Sequence, residues 1–305
     1  MAAKEYSPRA LHLTKHIIEL NPAHYTVWLY RAQILFALNA DLYAELEWVD
    51  SISLDNQKNY QIRHHRELLI NHLSPTIGSR AGILSLARDE LAFMAQMFAH
   101  DSKNYHIWSY RQYLTRKLSL FPSQCRPADG DPDELANTEM LIEDDVRNNS
   151  AWAYRFFLVF SDPGHSTPGC RATERDPAIP DSIIEREIAF AKEKVIPAPQ
   201  NQSPWNYIRG VLRKGGGELA VLEEFAVRFV KLGDAVGQGE DVKSSHALGF
   251  LADVWAEMRE WEKADKALAL LAEKYDRIRS NYWEWRRDGL GAMKENGGIT
   301  SSTAA

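Results

Sequence analysis

The sequence predicts an all-α fold of helical-hairpin repeats, and three observations carry that prediction. An eight-residue motif recurs five times, its copies stand at intervals that fit a pair of helices with their loops, and amphipathic segments lead into the copies. Hydrophobic residues make up 45% of the 305-residue chain and nine are Trp, so there is ample apolar area for a sizeable core.

The motif copies occupy residues 24–31, 59–66, 104–111, 148–155 and 201–208, in steps of 35, 45, 44 and 53 residues. Their shared frame is Asn, then Trp four residues on, then Arg seven residues on. Each slot is filled in four of the five copies, the exceptions being His24 for Asn, Arg63 for Trp and Ile208 for Arg. The frame has a helical reason. Asn is a strong N-cap, and side chains three apart share one helix face, so each copy starts a helix that points a ring and a guanidinium the same way. Trp28, Trp108, Trp152 and Trp205 are therefore expected in the core. Arg31, Arg66, Arg111 and Arg155 are expected as buried guanidiniums that satisfy neighbouring helix ends rather than as a nucleic-acid stripe. A Trp-to-Arg change at 63 requires either a rearranged core under the second copy or a carboxylate within reach.

The segments before the copies complete the hairpins. Leu11, Ile17, Ile18 and Leu20 precede the first, and Leu42, Leu46, Val49 and Leu54 the second, at near-helical spacing. Residues 121–132 and 162–180 are rich in Pro, Gly and Ser and read as surface loops too polar to pack. Gly215, Gly216 and Gly217 end the fifth motif helix, and residues 233–239 form a further break. Beyond it Trp255, Trp261, Leu268, Leu271, Tyr275, Ile278, Tyr282 and Trp285 predict three more helices. The expectation is a single repeat domain over 4–295 with a disordered tail over 296–305.

Composition excludes several function classes. With 36 Lys plus Arg against 42 Asp plus Glu, a net charge of -6 gives no global attraction for nucleic acid or acidic membranes. No segment has the apolar run of a signal peptide or a membrane span, which predicts a soluble cytoplasmic chain. Two cysteines, Cys125 and Cys170, without CxxC spacing or adjacent His, argue against a disulfide framework and against a zinc site within this chain. His64 and His65 diverge by about 100° on a helix and cannot face one ion.

With these motifs in view, the sequence resembles the protein prenyltransferase alpha subunits, in particular the branch shared by farnesyltransferase and geranylgeranyltransferase type I. The residues that carry the resemblance are Lys58-Asn59-Tyr60-Gln61, His64-His65-Arg66, Lys103-Asn104-Tyr105-His106, Asn148-Asn149-Ser150, Trp205-Asn206-Tyr207, and Ile278-Arg279 followed by Tyr282-Trp283. The similarity spans about residues 4 to 290. It implies an alpha-alpha superhelix forming a crescent around a catalytic beta subunit, with which the chain forms a heterodimer. It also implies transfer of a farnesyl or geranylgeranyl group from its diphosphate to the cysteine of C-terminal CaaX motifs, on clients such as small GTPases. No cofactor would be bound by this chain. Zinc, with magnesium as a second candidate metal, would sit in the beta-subunit active site. By the same resemblance Lys58 would be catalytic at the diphosphate, with Tyr60 lining the same region and Gln61 bonding the peptide carboxylate. Asn104, Tyr105 and His106 would be further substrate contacts. The family's longer N-terminal segment is not seen here. The Rab geranylgeranyltransferase alpha subunit shares the repeats but matches less well over 58–61. A non-catalytic tetratricopeptide-like peptide scaffold has a period near 34, against which steps of 44 to 53 argue.

Overall fold

The computed structural model describes residues 5–233 and 240–299, and these divide into two compact units, 1–137 and 138–305. In the first unit α1 (Pro8–Leu20), α3 (Leu42–Asp55) and α5 (Arg80–His100) each pack as an outer helix on an inner one. The inner helices are α2 (Tyr25–Ala37), α4 (Tyr60–Leu73) and α6 (Tyr105–Leu118), and they stack in a row. Helix α7 (Glu134–Asp144) begins at the end of this unit. In the second unit the inner row is α8 (Asn149–Phe160), α10 (Gln202–Gly215) and α12 (Ser245–Glu257). Around it lie α9 (Asp181–Val195), a short α11 (Glu223–Ala226), α13 (Trp261–Leu270) and α14 (Ser280–Ile299). A two-residue antiparallel ladder, Val230–Lys231 with Asp241–Val242, is the one strand pairing among the described residues. No helix among them is long and apolar enough to cross a membrane.

The motif frame builds both rows. Asn59, Asn104, Asn148 and Asn201 each accept a backbone N–H of the first helical turn, whereas His24, at the same position, makes no side-chain cap. The four Trp rings are buried, and each Nε1–H donates to the carbonyl six residues earlier: Pro22 at 2.8 Å, Ser102 at 2.9 Å, Val146 at 2.9 Å and Pro199 at 3.0 Å. The same carbonyls receive the cap of the next hairpin. Asn59 Nδ2 donates to Pro22 O at 2.9 Å and Asn201 Nδ2 to Val146 O at 2.6 Å. Asn104 Nδ2 donates to Gln57 O at 2.8 Å, the carbonyl that no Trp can reach because Arg63 stands in its slot. One acceptor with two lone pairs thus ties two successive hairpins together.

The buried arginines do not cap helix ends, as the sequence alone suggested. Each forms a forked pair with a glutamate of the next outer helix: Arg31 with Glu45, Arg66 with Glu90, Arg111 with Glu134 and Arg155 with Glu187, all at 3.2 Å or less. Arg31 in addition donates from Nη1 to a helix carbonyl, Leu11 O, at 2.8 Å. A carboxylate matches the guanidinium fork in shape and cancels its charge in the interior, which a carbonyl cannot do. The glutamates also receive the residue at the seventh position of the following motif. His65 bonds Glu45 at 2.9 Å, Tyr110 bonds Glu90 at 2.7 Å and Tyr207 bonds Glu187 at 2.6 Å. Burial alone would raise the Glu187 carboxyl, but the Arg155 and Tyr207 hydrogen bonds hold it below its ordinary range.

Three other expectations change. The 162–180 segment is packed, not merely exposed. Asp162 and Asp176 are buried, and Asp176 accepts from Thr167 N, Thr167 Oγ1 and Ala178 N while facing Lys214 Nζ at 4.0 Å. One internal carboxylate satisfies the polar groups that would otherwise need water. In 121–132, Phe121 and Cys125 are likewise buried, and Arg80 donates to Leu118 O and Ser119 O. The last group does form three helices, α12 to α14. Trp255, Leu268 and Leu271 are buried as expected and Trp283 joins them, whereas Ile278, Tyr282 and Trp285 are exposed. Helix α14 continues to Ile299, four residues into the stretch expected to be disordered, since extending an existing helix costs far less than nucleating one. Residue 4, residues 234–239 of the expected break and residues 300–305 of the tail lie outside the described residues.

A sixth, degenerate motif follows the fifth. Ser244 caps α12 through Ala247 N and donates to Pro199 O, the role Asn plays elsewhere, while Leu248, Phe250 and Leu251 fill the following slots and are fully buried. At Gly216 the backbone turns left-handed with φ of 73°, closing α10, and a Cβ there would collide with the Arg175 side chain.

Candidate functional site

The residues singled out from the sequence lie on two neighbouring cap loops of the first unit and on the first turns of the helices those loops begin. Residues 56–59 connect α3 to α4, and residues 101–104 connect α5 to α6. The Asn59 and Asn104 caps fix where each helix begins, and the Asn104 bond to Gln57 O holds the second loop against the first. The dipoles of α4 and α6 place partial positive charge at these N-termini.

Lys58 stands at this junction. Its side chain is 73% exposed and its Nζ lies 3.5 Å from Asp101 Oδ2, a contact reaching from one loop to the other. An open cleft of about 500 Å3 runs along the first loop, lined by Lys58, Asn59, Tyr60 and Gln61 with Ala23 and Asn56. Tyr60 is exposed, and its ring stacks on His64 at 6.2 Å and under the Arg63 guanidinium at 4.9 Å. Gln61 is half-buried on the cleft wall.

At the start of α6 Tyr105 is exposed, with its ring 3.9 Å from that of His106. His106 is buried, and burial pushes its imidazole below the ordinary value of 6.5, with the positive charges of Arg63 and Lys58 adding to the effect. Those couplings put Lys58, Arg63 and His106 within one electrostatic neighbourhood. Asn104 is different. It is buried, with its oxygen on His106 N at 3.0 Å and its nitrogen on Gln57 O, so its amide serves the fold and positions the Lys58 loop.

Arg63 and Asp101 are the two residues here that sequence reasoning did not assign to the site. Arg63 reaches Glu67 at 3.4 Å, which is the carboxylate its position in the Trp slot required, and its buried Nε has no acceptor among the described residues. The departure from the frame was itself the signal. His65 and His72, by contrast, are packing residues: His65 sits against Trp28 at 4.8 Å and His72 stacks on Phe36 at 4.1 Å.

The arrangement can bind an anion. The exposed Lys58 and the start of α4 line the open cleft, and Arg63 with the start of α6 lines a second, smaller pocket that shares Asn56, Gln57 and Asn59 with it, while Asp101 and Glu67 pair with the two cations.

Comparison with known proteins places these features in context. Residues 7–38, 87–118 and 131–162 match the protein prenyltransferase alpha subunit repeat. The chain is 36% identical, over 94% of its length and 84% of the relative, to the protein farnesyltransferase/geranylgeranyltransferase type-1 subunit alpha of Candida albicans. It is 31% identical to the pea (Pisum sativum) protein of the same description, over 94% of this chain and 82% of that one. The mouse (Mus musculus) geranylgeranyl transferase type-2 subunit alpha is 28% identical over 69% of this chain and 35% of its own length. Among solved structures, that of Candida albicans protein geranylgeranyltransferase-I complexed with GGPP superposes with a TM-score of 0.79 at 36% identity, covering 95% of this chain and 86% of that one.

Proposed function

The chain belongs to the family of protein farnesyltransferase/geranylgeranyltransferase type-1 alpha subunits, and from that premise we propose that it works in a heterodimer that moves a farnesyl or geranylgeranyl group from its diphosphate to a cysteine near the C-terminus of client proteins. The observation that carries the reading is the cationic junction of the 56–59 and 101–104 loops. Breaking the bond between an isoprenoid carbon and diphosphate oxygen builds negative charge on the leaving group. A lysine free to swing from Asp101 onto that oxygen stabilises the transition state more than the ground state. Lys58 takes this role, with Arg63 and the α4 and α6 N-termini adding to the potential. Tyr60 and Tyr105 offer aromatic and hydroxyl contacts at the rim, and Gln61 offers an amide donor for the carboxylate that ends a client peptide.

The thiolate that attacks belongs to the client protein, and the zinc that would activate it belongs to the beta subunit in this reading. What this chain contributes is charge and position. The type-2 assignment is less well supported, because those relatives match over only about a third of their length.

Co-expression with a type-1 beta subunit from the same source, followed by gel filtration and a transfer assay on a peptide ending in a CaaX box, tests the proposal. A 1:1 complex with prenyl transfer is expected. A complex that forms yet transfers nothing, or no complex at all, would sink it.

A further inference from the structure

Lys214 stands in the last turn of α10 and is fully buried. The buried arginines of the motif frame each meet a glutamate fork, but Lys214 does not. The carboxylate facing it, Asp176, keeps its Oδ2 at 4.0 Å, beyond hydrogen-bond reach, and is committed to Thr167 and Ala178. Nζ donates instead to Cys170 Sγ at 3.1 Å and to Arg171 O at 3.2 Å. An interior ammonium whose closest partner is a sulfur is costly, and a methionine would fill the same space without that cost. Packing alone therefore does not account for the amine. A separate bond, Asp176 N to Lys214 O at 2.9 Å, holds the 162–180 segment on the helix end, so the sulfur and the nitrogen are kept together by the backbone around them. Cys170 is half-buried, its Sγ resting near the Arg171, Glu174 and Arg175 carbonyls at 3.7 to 4.0 Å. The sulfur thus has a nitrogen on its inner side and a path to solvent on the other.

We propose that Cys170 and Lys214 are a modification site: a peroxide oxidises the thiol, and the two side chains then join through an Sγ–Nζ bond that locks residues 162–180 onto the end of α10. In the first step the sulfur takes one peroxide oxygen as the O–O bond breaks. Sulfur gives up two electrons, the peroxide is reduced, and its second oxygen leaves as water, which makes a sulfenic acid. In the second step Nζ attacks Sγ and the S–O bond breaks. The hydroxyl leaves as water with one ammonium proton, another proton passes to solvent, and the product is a sulfenamide. Sulfenic acids condense with a nearby nitrogen in this way, and reacting atoms about 3–3.5 Å apart already have near-attack geometry. Cys125, the other cysteine, is an internal control. It is buried, burial pushes its thiol up, and the nitrogen beside it is the Arg80 guanidinium at 3.6 Å, which has no free lone pair to attack with. The link concerns the second unit alone and does not depend on the heterodimer reading.

The test is peroxide treatment of the full chain, followed by digestion and mass spectrometry. A peptide pair joining Cys170 to Lys214 is expected, lighter by two hydrogens than the separate peptides and returned to thiol and amine by dithiothreitol. Lys214→Met removes the amine at nearly constant volume, and should abolish the link and leave Cys170 as a sulfenic acid that dimedone traps. Cys170→Ser changes a half-buried side chain and keeps the lysine, so it gives a second reading if the first variant folds poorly. The oxidised unaltered chain should melt about 5 °C above the reduced one, because the link closes a 44-residue span in the unfolded state, and Cys170→Ser should show no such rise. Oxidation of Cys170 to sulfenic or sulfinic acid beside an unmodified Lys214, a disulfide to Cys125, or a linked chain that melts no higher than the reduced one would overturn the proposal.

Discussion

The second and fourth motif helices, α4 and α8, are built on one frame and differ at the slot that decides what they do. In α8 the slot holds Trp152, buried and donating to Val146 O at 2.9 Å. In α4 it holds Arg63, half-buried, stacked on Tyr60 and paired with Glu67. Both helices keep the buried arginine that follows, Arg155 and Arg66, with its glutamate on the next outer helix. The repeat therefore separates two tasks. Arginine, glutamate and cap asparagine hold the stack, and the Trp slot can be surrendered where the surface needs charge instead of core. Departures from a frame that the rest of the chain respects are where function is to be sought.

That comparison breaks most severely at the buried pairs. Arg155→Ala leaves Glu187 charged and buried with only Tyr207 and Arg186 near it, and is expected to cost about 3–5 kcal/mol in denaturant unfolding. A loss below ~1 kcal/mol would show that the forked pair is not what holds α8 to α9.

The next effect is one of pH. His65, alone among the residues bonding the outer-helix glutamates here, titrates near neutrality, and burial lowers its folded value below 6.5. The unfolded chain then binds more protons as pH falls beneath 6.5, so stability drops with acid in that window. Glu45, burial notwithstanding, is held below 4.5 by the His65 and Arg31 hydrogen bonds, so its own contribution is complete above 4.5 and disappears only in stronger acid. His65→Tyr restores the residue used in the other copies and should flatten the slope between pH 7 and 5 in thermal melts. An unchanged slope would move the effect to His106 or His246, whose values are also lowered by burial.

Smaller still is the cap. Asn201→Ala removes the bond to Ser203 N and the bridge to Val146 O, for roughly 1–2 kcal/mol. Smallest in stability is Arg63→Ala, about 1 kcal/mol or less because its pair with Glu67 is partly exposed, while prenyl transfer by the complex should fall severalfold. The comparison of α4 with α8 fails if the two readouts are reversed, stability lost and transfer intact.

The stacked hairpins were legible in the sequence because three slots of fixed spacing each demand one kind of side chain. The acidic half of the network was not, since the glutamates stand 14, 24, 23 and 32 residues from their arginines, distances set by loops of varying length. The Tyr or His at the seventh motif position was visible in every copy and marks the other ligand of those glutamates. Ser244 escaped notice because serine replaces asparagine and leucines replace Trp and Arg, although it lies 43 residues after Asn201. The 162–180 segment misled through composition: Asp176 organises it by contacts to residues that are polar one by one. At the site, Lys58, Tyr60 and Gln61 stood out only through family resemblance, since an exposed lysine before a helix has no pattern of its own. Asn104 appears as a support for the Lys58 loop, a role that depends on a contact 47 residues away.

The account turns on Lys58, which sits on the surface with an exposed pair to Asp101. Single-turnover transfer by the heterodimer carrying Lys58→Ala, measured beside the melting temperature of the complex, is the direct test. Transfer slowed about ten- to a hundred-fold, the worth of one charge-assisted hydrogen bond, with complex formation and melting unchanged, is the predicted result. A single-turnover rate equal to that of the unaltered complex would contradict it.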